Sequence, residues 1–306
     1  MMTKRHVTRR CGGLIVASGL TVILGMTVPV LAATAATPGF AQPDLVVSAA
    51  WLKTHLSSPD LIVVDARSAE AYAQGHIPRA ISLPLTQLLT DPTETAATTV
   101  ARLTAVVSAS GIGTHKRVIL YDKGGDTAAP RLFWTLELLG RSQVAVLDGG
   151  LQGWQSVAGG MTTVPTRIGA SPFQTKVELG RLQTMAGCIV ALGDPHSVVV
   201  DTRSAAEHAG SDVRAARGGH MPGAVNIDWQ TNFDGPRLGD PERLRTLYLR
   251  KGVTPDRTVI SHCQSGSRAA VTYWVLRLLG YPNVKNYAGS WAEWGNDPTT
   301  PVVTGT

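Results

Sequence analysis

Cysteine is nearly absent from this 306-residue chain. The three present, Cys11, Cys188 and Cys263, form no Cys-x-x-Cys pair and belong to no Cys/His set at ligand spacing, so nothing predicts a metal site or a bound cofactor. Acidic residues are missing from residues 1–35, which hold Lys4, Arg5, Arg9 and Arg10; of the formal charge of +6 these four carry most, leaving +2 for the remainder. Beyond that segment no Lys/Arg cluster exists, which argues against a nucleic-acid partner, and the scattered arginines read as a solvated surface. Charged residues are few, at 16%, against 43% hydrophobic, a globular composition in a chain long enough for two domains.

Long uncharged apolar runs are also lacking, with one exception from Leu14 to Ala33. It follows the four basic residues and ends at Ala33-Thr34-Ala35, a small-x-small site. This predicts a cleaved export signal over residues 1–35, hence a periplasmic or extracellular protein with no stable membrane association after cleavage. Uncleaved, about 20 apolar residues would span a bilayer; the Gly, Ser, Thr and Pro29 within the run favour cleavage.

What is there centres on Ser261-His262-Cys263-Gln264-Ser265-Gly266-Ser267-Arg268. A short β-branched run, Arg257-Thr258-Val259-Ile260, precedes it, and Ala269 to Leu279 follows with helical apolar spacing that stops at Gly280. Cys263 is thus predicted on a strand-to-helix turn. Backbone N–H groups of Gln264, Ser265, Gly266 and Ser267 can curl around the sulfur, and the helix N-terminus adds positive potential; both favour the thiolate. Arg268 supplies a fixed cation for an anionic substrate or leaving group. The plainer alternative is a buried cysteine that merely ends a strand. Cys188, within Met185-Ala186-Gly187-Cys188-Ile189-Val190, reads as a packed apolar residue.

The chain also repeats itself. Val63-Val64-Asp65-Ala66-Arg67-Ser68 returns as Val199-Val200-Asp201-Thr202-Arg203-Ser204, and Gly75-His76-Ile77-Pro78 as Gly219-His220-Met221-Pro222. Trp134, Gly140 and Trp154 return as Trp274, Gly280 and Trp294 at an offset of 140. Two tandem domains follow, over residues 44–158 and 174–306, joined by a Gly/Pro-bearing linker over 159–173. Continuous apolar runs such as Leu61 to Val64, Val118 to Tyr121 and Val144 to Leu147 alternate with helical patterns, which predicts an α/β fold, each domain a mainly parallel sheet with helices on both faces. Asp91 to Thr99 and Phe233 to Asp240 read as connections. At the same offset Lys123 stands where the second copy has Cys263, and Ala128 where it has Arg268, so the first domain is expected to be structural.

With these residues assembled, the chain resembles the tandem-domain rhodaneses, the thiosulfate and 3-mercaptopyruvate sulfurtransferases. The motifs that carry the resemblance are Asp201-Thr202-Arg203, Gly219-His220-Met221-Pro222-Gly223-Ala224, the loop from Cys263 to Arg268, and Gly289-Ser290-Trp291-Ala292-Glu293-Trp294. It implies that Cys263 takes sulfur from a small anionic donor, the outer sulfur of thiosulfate or the thiol sulfur of mercaptopyruvate, and passes it from a persulfide to cyanide or a thiol. Family members place a donor-binding arginine where this chain has Glu207, which disfavours a donor carboxylate there; Arg203, Arg214 and Arg217 are the other candidate donor-binding cations. A carrier that holds sulfane sulfur without turnover is the alternative of a different class.

The remaining polar residues have structural readings. Asp65 and Asp201 end strands and are expected to cap the turns that follow; Ser204 and Glu207 have capping-box spacing. His76 and His220 recur although only one copy has the thiol, which favours a turn role. His262 adjoins Cys263 but should face the other way on a strand. Trp291 and Trp294 read as packing residues. A phosphatase loop running from Cys to Arg is one residue longer than this one.

Overall fold

The computed structural model describes residues 1–2, 39–89 and 96–305. The export signal predicted over residues 1–35, with Cys11 in it, lies outside the described residues apart from Met1 and Met2. Among the described residues no helix is long and apolar enough to cross a membrane.

The first domain contains β1 (Val46–Val47), α1 (Ala49–His55), β2 (Leu61–Asp65), α2 (Ala69–Gln74), β3 (Ile81–Ser82), α3 (Ala96–Ala109), β4 (Arg117–Tyr121), α4 (Ala128–Leu138), β5 (Val144–Leu147) and α5 (Gly150–Ser156). The second contains β6 (Leu182–Gln183), α6 (Met185–Ala191), β7 (Ser197–Asp201), α7 (Ala205–Ala209), β8 (Val225–Asn226), the hairpin β9 (Phe233–Asp234) and β10 (Arg237–Leu238), α8 (Pro241–Arg250), β11 (Thr258–His262), α9 (Ser267–Leu278), β12 (Val284–Tyr287) and α10 (Ser290–Trp294). The first sheet runs β1-β5-β4-β2-β3 and the second β6-β12-β11-β7-β8. Every pairing within these two sheets is parallel. The internal repeat of the sequence is therefore a repeat of topology.

Alternation along the strands sorts each sheet's two faces. In the first, Val63, Ile119, Ala145 and Leu147 pack with Trp51 and Leu52 of α1 and Trp154 of α5, while Ile62, Val64, Val118 and Val146 pack with Leu103 and Val107 of α3 and Phe133 of α4. In the second, Val199 and Ile260 pack with Cys188, Trp291 and Trp294, and Val198, Val200 and Val259 face α8 and α9. Both faces of each sheet are covered, so the strands are apolar throughout. Cys188 is a free, fully buried member of that core.

The inner faces of α4 and α9 merge the two domains into one hydrophobic core. The repeated tryptophans hold this junction in matching ways. Trp134 Nε1 donates to Arg181 O of the second domain at 2.9 Å, and Trp274 Nε1 donates to Leu45 O of the first at 3.1 Å. Gly140 and Gly280 end α4 and α9 with φ of +91° and +89°, and a Cβ on Gly140 would lie 2.3 Å from Lys176 O, so side chains are excluded for both conformation and contact. Replacing Trp274 by Phe removes one ring from the core together with the hydrogen bond to Leu45 O, which should cost about 2–4 kcal/mol in urea unfolding; no change in midpoint would show that the junction contact is dispensable.

Two stretches expected as plain connections carry structure. Residues 96–99 already belong to α3, whose Leu103 and Val107 anchor it to the core, while 90–95 lie outside the described residues. Residues 233–238 form the β9/β10 hairpin, which sits on the nucleophile-free loop of the first domain: a Cβ on Gly125 would lie 2.7 Å from Gly235 O, and Leu238 N donates to Asp148 Oδ1 at 2.9 Å. The linker lies along the first domain, with Thr162 bridged to His76 and Val164 O within 3.1 Å of His76 Nε2.

Candidate active site

Cys263 is the first residue after β11, and α9 begins at Ser267. The strand end sits in the centre of the sheet, between β7 and β12, so the turn opens where neighbouring loops converge. Gly266 caps α9 in the left-handed region, with φ of +80°. That conformation turns its N–H inward, and it donates to Cys263 Sγ at 3.1 Å. The cysteine itself is 1% exposed.

The segment after β12 clamps this turn from outside. Ser290 Oγ accepts from Cys263 N at 3.1 Å and donates to Tyr287 O at 2.6 Å. Trp291 N and Ala292 N donate to Cys263 O and Gln264 O, and Asn286 Nδ2 donates to Gly266 O at 3.0 Å. Ser290 holds φ of +54°, a sparsely populated conformation for a side-chain-bearing residue that persists because these bonds fix it. Gln264 Nε2 reaches Arg214 O at 2.9 Å.

Arg268 and Glu207 form a bidentate pair, with Nη1 to Oε2 at 2.6 Å and Nη2 to Oε1 at 2.8 Å. Glu207 also completes the capping box of α7, accepting from Ser204 N while Ser204 Oγ accepts from Glu207 N. Burial alone would raise the Glu207 pKa, but Arg268, the Ser204 amide and Arg214 outweigh it and bring the carboxyl down to about 2. Burial likewise opposes the charge on Arg268, yet the Glu207 hydrogen bond, together with the charges of Cys263 and Glu207, holds it above its ordinary value.

The other candidate cations are placed differently. Arg203 is buried with Nη2 2.6 Å from Asp201 Oδ2 and its guanidinium 4.3 Å from the Trp291 ring. Arg217 donates to the carbonyls of Trp294, Asp297 and Thr300 at the end of the chain. Arg214 is half-exposed, bonded to Asp212 at 2.8 Å and 3.6 Å from Glu207. Of the three, only Arg214 borders the Arg268–Glu207 pair.

Beneath the loop lies a buried polar cluster. Asp201 Oδ1 accepts from Arg203 N at 3.1 Å and Asp65 Oδ1 from Arg67 N at 3.0 Å, the turn-capping geometry expected in both copies. Asp201 also accepts from the Arg203 side chain and His208 Nδ1. Burial would raise Asp201, but His262, His208 and Arg203 hold it far below the usual carboxylate range. His220 stacks on His208 as His76 stacks on Tyr72, both pairs at 3.6 Å between ring centroids. Burial takes His262 down to about 4. Its Nδ1 lies 3.4 Å from Cys263 O and its Nε2 3.8 Å from Asp201, with neither nitrogen bonded to the sulfur.

The arrangement seats a single sulfur, between a backbone donor and a fixed guanidinium, in a turn with no metal-binding cluster among the described residues. The chain matches the rhodanese-like domain family over residues 48–157 and again over 189–297. It belongs to the rhodanese family. Among curated members, this rhodanese is 37% identical to the thiosulfate sulfurtransferase of Pseudomonas aeruginosa, covering 86% of this chain and 98% of the relative. It is 35% identical to that of Azotobacter vinelandii with the same coverage. Among solved structures it superposes with a TM-score of 0.80 on the anaerobic ergothioneine biosynthesis enzyme from Chlorobium limicola, at 23% identity over 87% of this chain and 71% of that one, a likeness of fold.

Three residues of this site escaped the sequence: Ser290, Asn286 and Arg131. Ser290 lay inside a motif valued for its tryptophans. Arg131 stands in α4 of the first domain, fully buried, with Nη1 3.4 Å from Ser265 O. Its signal was available, since it is an arginine inside the apolar run Ala128 to Leu139 where the second copy has Val271.

Proposed function

We propose that this chain is a thiosulfate sulfurtransferase. Cys263 thiolate attacks the outer sulfur of thiosulfate; a new S–S bond forms, the donor's S–S bond breaks, and sulfite leaves with the bonding electrons. The resulting Cys263 persulfide is attacked at its terminal sulfur by cyanide or a thiolate, which departs as thiocyanate or a persulfide and returns the cysteine thiolate, a two-step covalent cycle. The observation that carries this reading is the Gly266 N–H on Cys263 Sγ at 3.1 Å, a donor fixed where sulfur anion is present in both half-reactions. Thiosulfate is favoured over mercaptopyruvate by the relatives at 35% and 37% identity, both thiosulfate sulfurtransferases.

The test is steady-state thiocyanate formation from cyanide with each donor, together with the intact mass after thiosulfate alone. Turnover with thiosulfate well above that with mercaptopyruvate, and a protein one sulfur heavier at Cys263, are expected. The reverse preference would transfer the assignment to the second donor, and stable persulfide with no turnover would make the chain a sulfur carrier. We further propose that residues 1–35 direct export and are removed near Ala35; a secreted or periplasmic fraction carrying the intact N-terminus would oppose this.

A further inference from the structure

Among the described residues, Arg131 is a buried cation that the site as described so far leaves without a role. It is 0% exposed, its Nε and Nη2 have no hydrogen-bond partner, and among the described residues no carboxylate lies within ion-pair distance of it. Its guanidinium lies 4.6 Å from the ring of Trp134, one turn along the same helix. Buried guanidinium without a counter-anion is expensive, so evolution ordinarily pairs it or removes it. Burial is the main cause that lowers its pKa, to about 10, and the opposing influence is Cys263.

The contact it does make is to one particular peptide. Arg131 Nη1 faces Ser265 O at 3.4 Å, and the N–H of that same peptide unit, on Gly266, donates to Cys263 Sγ at 3.1 Å. A cation at the carbonyl end of a peptide increases the positive charge at its N–H end, so the two contacts reinforce each other across one amide. Gly266 is tied to this arrangement too, since a Cβ there would lie 2.4 Å from Arg131 Nη1. The other charged groups around the sulfur are Arg268 of α9, which interacts with Cys263 but shares its guanidinium with Glu207 of α7, and His262 of β11, which burial keeps uncharged near neutrality.

We infer that Arg131, supplied by the first domain, is a second counter-charge of the Cys263 sulfur anion beside Arg268, acting on thiolate and persulfide through the Ser265–Gly266 peptide. This gives the domain without a nucleophile a part in the chemistry as a positioning and polarising element. The inference rests on Cys263 being the nucleophile, but not on which donor loads it.

The experiment is the rate of Cys263 alkylation by iodoacetamide at pH 6, followed by peptide mass in the full chain, for the parent, Arg131→Met and Arg131→Lys. Alkylation needs thiolate and no sulfur donor, so a normal rate without thiocyanate formation would count against the proposed donor and leave Arg131 untouched. The Arg131→Met protein should react about tenfold more slowly, and Arg131→Lys should recover most of the rate. Thermal unfolding separates the alternatives, because a merely structural arginine predicts a lower midpoint with an unchanged rate, whereas removal of an unpaired buried charge predicts a midpoint unchanged or higher. Should the Met variant fail to fold, Arg131→Gln against Arg131→Lys asks the same question with hydrogen-bonding side chains. A neutral variant that alkylates within twofold of the parent overturns the inference.

Discussion

Replacing Gly266 by alanine should lower kcat/KM for sulfur transfer by about 10²–10³, the usual effect of losing one backbone donor to a reacting anion. The position is constrained on three counts. Its φ of +80° disfavours any side chain, its Cβ would lie 2.8 Å from Ala288 Cα, and the same Cβ would press on Arg131 Nη1 at 2.4 Å. Relief requires the 265–266 peptide to rotate, which lifts the N–H from Sγ. The left-handed conformation and the backbone contact together should cost about 3 kcal/mol of stability, leaving a folded protein on which the rate can be measured. Circular dichroism and steady-state thiocyanate formation check both parts; a folded Gly266→Ala variant within tenfold of the parent would show that this amide does not stabilise the sulfur.

The fold was largely legible because the repeat supplies its own control. Apolar runs at Leu61, Val118 and Val144 announced strands buried on both faces, and the offset of 140 alone placed Lys123 against Cys263. What the sequence could not convey was which face of each helix meets the other domain. Trp134 and Trp274 served as markers of duplication, yet each spans the domain junction to a carbonyl of the other copy. The Phe233–Leu238 stretch carried Gly and Pro and suggested a plain connection, whereas its hairpin fills the place against which the first copy's empty loop closes.

The site was legible in its turn and illegible in its charge pairing. The spacing from Cys263 to Arg268 located the turn, but local sequence says nothing of a carboxylate 61 positions away, and Glu207 answered equally well to a capping box. It does both, because α7 starts at the end of β7 and β7 is hydrogen-bonded to β11, so the two helix N-termini face the same rim. Arg131 is harder still. A charged residue in an apolar helix of another domain gains meaning only once α4 is packed on α9.

Glu207→Gln should remove about 3 kcal/mol of stability at pH 7 and flatten the acid limb of the stability curve. Its carboxyl falls from an ordinary 4.5 to about 2 in the folded protein. A group whose folded pKa is depressed binds fewer protons when folded, so its contribution is complete above pH 4.5 and is lost as pH falls through 2. The parent should therefore lose stability progressively between those limits, while the Glu207→Gln protein should start lower and fall less steeply, its remaining slope coming from Asp201 and other carboxylates. Asp201 has the same sign and begins to lose its contribution below its ordinary 3.8, inside the same window, but it does so in both proteins, so the difference between the two curves reports Glu207. Loss of the carboxylate also leaves Arg268 half-buried without its bidentate partner, which is why the neutral isostere destabilises rather than merely desensitises. Urea midpoints from about pH 7 to 2 for parent and variant decide the matter: parallel curves would assign the acid limb to other carboxylates and deny Glu207 its double role.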